Sequence, residues 1–243
     1  MGSIASNLQE VKRRIAAACA SAGRDAQTVT RAPACGGAQG VTLLAVSKTF
    51  GADAVREAAA AGQQAFGENY VQEALAKIEA LAELRPQLQW HLIGPLQSNK
   101  TRPVAGAFDW VHSVERLKIA QRLAEQRPPG LPPLQICLQV NISGEASKSG
   151  LLPSEVPDMA RAVAALPRDR LVLRGLMAIP EPAADAAAQR EPLRALRELM
   201  AALNASGLAL DTLSMGMSAD LEAAVAEGAT IVRVGSAIFG PRG

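Results

Sequence analysis

Apolar residues recur every three to four positions near the start of the chain, at Ile4, Leu8, Val11, Ile15 and Cys19. This is the spacing of one face of an amphipathic helix, which ends before Gly23. Residues 24–40, closing with APACGGAQG, read as loop. Beyond them the pattern changes, and short β-rich runs alternate with stretches rich in Ala, Leu, Glu and Arg. Eight runs read as strands, at 41–46, 64–66, 89–93, 110–112, 134–141, 171–177, 212–214 and 231–234. Helices are expected at 53–61, 70–84, 115–126, 154–166, 190–206 and 219–227, with a short turn near 98–105. Gly62, Gly207 and Gly228 stop three of them, and Pro86 stops another.

Strands alternating with helices of this length form a parallel sheet, because each crossover helix returns the chain to the same end of the sheet. Eight such units predict closure into an α/β fold, a single (β/α)8 TIM-type barrel. Only SAIFGPRG follows the last strand, too short for a full eighth helix, so the N-terminal helix is expected to cover that gap. The whole chain, 1–243, then reads as one domain: helix and loop over 1–40, barrel over 41–240. An open doubly wound sheet is the rival architecture. Its G-x-G-x-x-G fingerprint is missing after the first strand, where the chain reads SKTFGAD.

Composition supports layers of helix and strand, since 49% of residues are hydrophobic but only 3% aromatic. The core must therefore be built from Ala, Leu, Val and Ile. A net charge of +2, from 25 basic and 23 acidic residues without long runs, gives no field strong enough to imply nucleic acid or a membrane surface. A small-molecule partner is expected instead. Cys19, Cys35 and Cys137 show no C-x-x-C spacing, and with only His91 and His112 available no zinc cluster is expected. No apolar run approaches the roughly 20 residues of a membrane span, and MGSIASNLQEVKRR lacks the apolar region of a signal peptide. These features favour a reduced, cytoplasmic setting, and no second domain or exposed apolar helix face argues against a monomer.

In such barrels function collects where strands end and βα loops begin. Lys48 follows the apolar run VTLLAV, at the mouth of a dry barrel, where desolvation lowers a lysine pKa and frees its amine to attack an aldehyde. A surface lysine at a strand end is the plainer reading. SMGMSAD precedes a helix expected near Ala219, so Ser218 could cap that helix while Gly216 lets N–H groups approach a phosphate. Gly235 and Ser236 offer further donors after the last strand, and Arg233 shares a strand face with Gly235. That arginine either points into the mouth or pairs with a carboxylate between strand and helix.

Taken in order, AVSKTF, FGENYVQE, WHLIGPLQSNK, HSVE, VNISGEASKSG, GLMAIP, SMGMSADLEAAVAEGAT and VRVGSAIFG resemble the YggS/PROSC family of pyridoxal phosphate homeostasis proteins. The resemblance covers about Val41 to Gly240. It implies a barrel similar to the alanine racemase N-terminal domain, with pyridoxal 5′-phosphate (PLP) held as a Schiff base on Lys48. Carried over by motif, Ser214, Ser218, Gly235 and Ser236 are phosphate contacts, Arg233 faces the pyridine nitrogen, and Asn69 and His91 are pocket walls. Pro95 in the IGPLQ stretch and a long 24–40 loop depart from the family pattern, away from these motifs.

The resemblance implies a non-catalytic carrier that stores PLP and delivers it, possible acceptors being PLP-dependent apoenzymes. A racemase-like enzyme would need a second acid/base facing the substrate. The only tyrosine, Tyr70, begins the helix after GEN, and no second domain shields the site. An aldolase-like barrel, with Lys48 attacking a sugar phosphate directly, is the third reading.

Overall fold

The structure is a computed structural model that describes residues 2–24, 28–29, 32, 40–145, 148–183 and 185–241. Helix α1 (Ile4–Ser21) starts at Ser3, whose hydroxyl accepts from the Ser6 N–H at 3.2 Å. Its apolar stripe, Leu8, Val11, Ile15, Ala18 and Cys19, is wholly buried. A two-residue strand, β1 (Thr28–Val29), precedes the barrel strands: β2 (Val41–Val46), β3 (Ala65–Glu68), β4 (Gln89–Leu92), β5 (Trp110–Val114), β6 (Leu134–Gln139), β7 (Leu171–Met177), β8 (Thr212–Ser214) and β9 (Ile231–Val234). All pairings are parallel and sequential, and β2 pairs with β9 from Thr42↔Ile231 to Ala45↔Val234, which closes the ring. Eight strands form the barrel, as the alternating pattern predicts.

Helices α2 (Ala52–Ala60), α3 (Val71–Ala80), α4 (Thr101–Ala107), α5 (Leu117–Gln126), α6 (Val156–Ala164), α7 (Ala186–Ala205) and α8 (Leu221–Ala226) wrap the barrel, and a single turn, α9 (Ser236–Phe239), closes the chain. Helix α1 packs against α2, α8 and α9 and takes the missing eighth helical position. Polar links fix it there: Asn7 Nδ2 donates to the Ile238 carbonyl at 2.9 Å, and Arg14 reaches Glu222 at 2.9 Å and the Ser218 carbonyl at 3.1 Å. Burial of Leu8, Val11 and Ile15 supplies about 1.5–3 kcal/mol each to that packing.

Three expectations need correction. The 98–105 turn is a 3-10 turn, Ser98–Lys100, running into α4; Pro103 lies in its first turn, where a missing N–H removes no helical bond. Helix α7 begins before 190, capped by Asp185, whose carboxylate accepts from Ala188 N–H at 2.8 Å; Pro192 is accommodated inside it. Most of the loop expected at 24–40 lies outside the described residues, but 28–29 within it form a strand. Thr28 and Val29 pair with Val41 and Thr42, and the buried Ala32 joins a small inner core with Leu44, Ala65, Trp110, Cys137, Met177 and Ile231. Among the described residues no helix is long and apolar enough to cross a membrane.

The larger core lies between strands and helices, as strand alternation requires: Val41, Leu43 and Ala45 face the helices while Leu44 faces inward. Polar groups share the barrel interior with the small inner core, and their contacts lead to its mouth.

Candidate site at the C-terminal mouth of the barrel

Lys48 leaves the end of β2 half-buried, and the residues on both sides of it are tied to one ammonium. Lys77, on α3 and only 5% exposed, donates to the Ser47 carbonyl at 2.7 Å and to Glu68 Oε1 at 2.7 Å, and pairs with Glu73 at 2.6 Å. Glu68 also accepts from the Ser47 hydroxyl at 2.6 Å, and Glu73 accepts from the Thr49 N–H at 2.6 Å. Thr49 has φ +70, the left-handed region, and is the one such non-glycine among the described residues. A side chain there costs about 1–2 kcal/mol, so the Glu73 contact holds a turn the chain would otherwise relax. Burial pushes the Glu68 carboxyl above its ordinary value, against the pull of Lys77 and Ser47. Lys48 is thus carried on a backbone pinned at the residue before and the residue after it.

A second polar system crosses the barrel interior. Arg233, on β9 and 4% exposed, donates to the Ser214 hydroxyl at 2.8 Å and to the Ala178 carbonyl at 2.8 Å. Ser214 lies 2.7 Å from His112 Nδ1; His112 Nε2 lies 2.9 Å from His91 Nδ1; His91 Nε2 lies 3.1 Å from Gln89 Oε1. Strands β5 and β8 are not neighbours, so these contacts run through the interior. Burial lowers His91 to about 3, and burial, His91 and Arg233 together hold His112 well below the ordinary imidazole value. Both rings are therefore neutral at neutral pH. Burial likewise brings Arg233 down to about 10, with Asp220 acting only at a distance. Among the described residues no carboxylate forms an ion pair with Arg233, which excludes the structural pairing that the sequence left open.

The loops after β8 and β9 bring backbone to the same rim. Gly216 has φ +91, and a Cβ there would meet Ala224 Cβ at 2.4 Å, so glycine alone fits. Helix α8 begins at Leu221, two residues later than expected, and Ser218 does not cap it; Asp220 accepts from the Met217 N–H at 2.6 Å and closes the turn. Ser218 is half-buried beside Gly216, Gly235 is half-buried, and Ser236 is exposed at the start of α9. Asn69 is half-buried above β3, its backbone against Gly94, where a Cβ would come within 2.1 Å of the Asn69 carbonyl. The Asn69 Oδ1 is buried without a partner.

The structure thus brings Lys48, Asn69, Ser218, Gly235 and Ser236 to one rim, with Arg233 beneath it. Two further residues of the set lie deeper, inside the barrel. Ser214, expected on a phosphate, has its hydroxyl engaged by Arg233 and His112 and is fully buried. His91, expected in a pocket wall, is fully buried in the interior with its ring stacked on Trp110, centroids 5.4 Å apart. The sequence reading missed Glu73, Lys77, Gln89 and the part played by His112. For Lys77 a weak signal existed, the Glu73-to-Lys77 spacing of four on a helix. Among the described residues no group of three or more His, Cys, Asp or Glu could hold a metal.

The closed parallel barrel, with Lys48 after its first long strand and the buried Arg233 on its last, falls in the alanine racemase N-terminal class. The family profile described as "Alanine racemase, N-terminal domain" matches residues 28–243. An alanine racemase from Corynebacterium glutamicum shares the fold, with 18% identity and a TM-score of 0.60 over 82% of this chain and 55% of its own. Much nearer is a protein of Pseudomonas aeruginosa named "Pyridoxal phosphate homeostasis protein", 61% identical over 242 residues, covering 100% of this chain and 97% of that one. PipY from Synechococcus elongatus PCC7942, solved with PLP bound, is 40% identical with a TM-score of 0.75, covering 93% of this chain and 100% of its own. The chain belongs to the pyridoxal phosphate homeostasis protein family.

Proposed function

We propose that this chain, over its whole length 1–243, is one PLP-binding unit. It works as a monomer in the cytoplasm, holding the cofactor reversibly and releasing it to acceptors, and so maintains the free PLP pool and the balance of amino and keto acids that depends on it. The observation that carries this reading is the pairing of Lys48, on a doubly pinned backbone at the open end, with Arg233, a buried guanidinium that no described carboxylate neutralises. These residues fit PLP: an amine for its aldehyde, glycine-built turns for its phosphate, and a donor for its ring nitrogen.

PLP supplies an aldehyde that condenses reversibly with amines, losing water. Lys48 supplies the protein's amine for that linkage. Ser218, Gly235 and Ser236, with the backbone at Gly216, hold the phosphate, as helix and loop N–H groups do elsewhere. Asn69, with its unpartnered amide oxygen, forms a wall. Arg233 would hold the ring nitrogen; a guanidinium has only N–H donors and opposes a second positive charge, so it would keep that nitrogen unprotonated. Ser214 and His91 act through Arg233 rather than on the cofactor.

An unprotonated ring is a weak electron sink, which favours carriage over turnover. Tyr70, 57% exposed on the rim, is poorly placed as a shielded acid/base. Delivery to a protein acceptor is supported by apolar side chains around the mouth: Tyr70, Leu152, Ile179 and Met217 are all exposed on βα loops. PLP-dependent apoenzymes are the acceptors this favours.

The test is the absorbance spectrum of the purified protein beside Lys48→Ala, followed by borohydride reduction and peptide mass mapping. A visible band in the parent, lost in Lys48→Ala, with the reduced adduct on Lys48, is expected. A colourless parent that stays so when PLP is added sinks the reading. Cofactor transfer to an apoenzyme no faster than spontaneous release would remove delivery and leave binding.

A further inference from the structure

The interior chain of polar groups has a direction, and both of its ends set it. At one end Arg233 can only donate, so Ser214 Oγ accepts from it and turns its own proton to His112 Nδ1, 2.7 Å away. At the other end Gln89 is oriented by the backbone of Ala32: its Oε1 accepts from Ala32 N–H at 2.9 Å, and its Nε2 donates to the Ala32 carbonyl at 3.1 Å. Gln89 Oε1 can then only accept from His91 Nε2. With one proton on each ring, His91 Nδ1 accepts from His112 Nε2–H, and His112 Nδ1 accepts from Ser214. Every donor meets an acceptor only if both histidines carry their proton on Nε2. Stacking of Trp110 on His91, with ring planes 6° apart, holds the ring that joins the two halves.

We propose that Gln89, His91 and His112 are positioning residues for Arg233: a one-way hydrogen-bond chain, set at the base of the barrel by Ala32, holds the guanidinium that faces the cofactor ring at the mouth. This rests on the proposed PLP site and extends it. Reversal is the alternative state, and it fails at Ser214. Were His112 to carry its proton on Nδ1, that N–H and the Arg233 N–H would both point at one hydroxyl, whose own proton would have to leave the chain. The base of the barrel is thereby coupled to the ring electronics at its top without a charge moving between them.

Because the chain holds just two histidines, 15N spectra of the cofactor-free protein at neutral pH read both rings without ambiguity. The Nε2–H form at both is expected, and the Nδ1–H form at either overturns the proposal. Gln89→Met, which removes the accepting oxygen, leaves His91 Nε2–H without an acceptor, and should shift the visible band of the PLP-loaded protein and weaken PLP about tenfold. Should Gln89→Met not fold, Ser214→Ala cuts the chain beside Arg233: it should leave both rings in the Nε2–H form yet shift the band. A band and affinity unchanged by the variants that fold overturn the positioning role while PLP binding stands. Absence of any band in the parent overturns both readings, and reduction at Lys48 distinguishes that case.

Discussion

Two buried polar clusters serve the same mouth by opposite physics. Beneath Lys48, the cluster of Ser47, Glu68, Glu73 and Lys77 is ionic, with contacts of 2.6–2.7 Å around a single ammonium. Beneath Arg233, the cluster of Ser214, His112, His91 and Gln89 is neutral, and the guanidinium it holds has no described counter-charge. A charge that is fully paired is spent on structure: Lys77 holds a strained turn in place and has nothing left for a ligand. One that is held by neutral groups keeps its field for whatever enters. Lys77 is thus structural and Arg233 poised for a ligand, although both are buried cations within one barrel.

The comparison predicts unequal responses. Lys77→Met leaves two carboxylates beside Ser47 and Thr49 without their cation and should cost about 3–5 kcal/mol of stability, read from the denaturant midpoint of the cofactor-free protein. A loss below about 1 kcal/mol would show that the ionic cluster is not what fixes the turn carrying Lys48.

Acid should act next, through the histidines. The unfolded chain takes up protons as pH falls through about 6.5, whereas folded His91 resists until about 3, and His112 resists in the same sense. Their contribution is fully present above 6.5 and is lost progressively between there and 3, because the unfolded state binds more protons. Stability measured across that window should fall steeply in the parent and less steeply in a His91→Asn, His112→Asn double variant; parallel slopes would mean the rings already titrate in the folded protein.

The smallest effect on the fold is expected at Arg233. Arg233→Met should change the stability of the cofactor-free protein by no more than about 1 kcal/mol, since removing an uncompensated buried charge offsets its two lost hydrogen bonds. The same variant should retain PLP poorly. A large stability loss with unchanged PLP retention would reverse the contrast with Lys77.

Much of this was legible from the residues in order. The alternation of β-rich runs with Ala-, Leu-, Glu- and Arg-rich stretches located all eight barrel strands and most helices, and position on or after a strand singled out Lys48, Ser218 and Arg233, because each depends on neighbours within a few positions. Motif order pointed to the family for the same reason. Helix α4 was less visible, since TRPVAGA carries a proline and weak helix formers that only packing overrides.

The support of the site could not be read that way. Ser47 meets Glu68 across 21 positions, His112 meets Ser214 across 102, and Ala32 meets Gln89 across 57. None of these partners stands out locally: Lys77 carries only the weak Glu73-to-Lys77 spacing, and His91 and Ser214 are marked only by the family motifs. The sequence by itself determined the periodicities, and hence the elements, their order and the end at which chemistry collects. Only the closed barrel decided which polar groups face one another inside it, since a buried donor must find an acceptor wherever the ring of strands brings one within 3 Å.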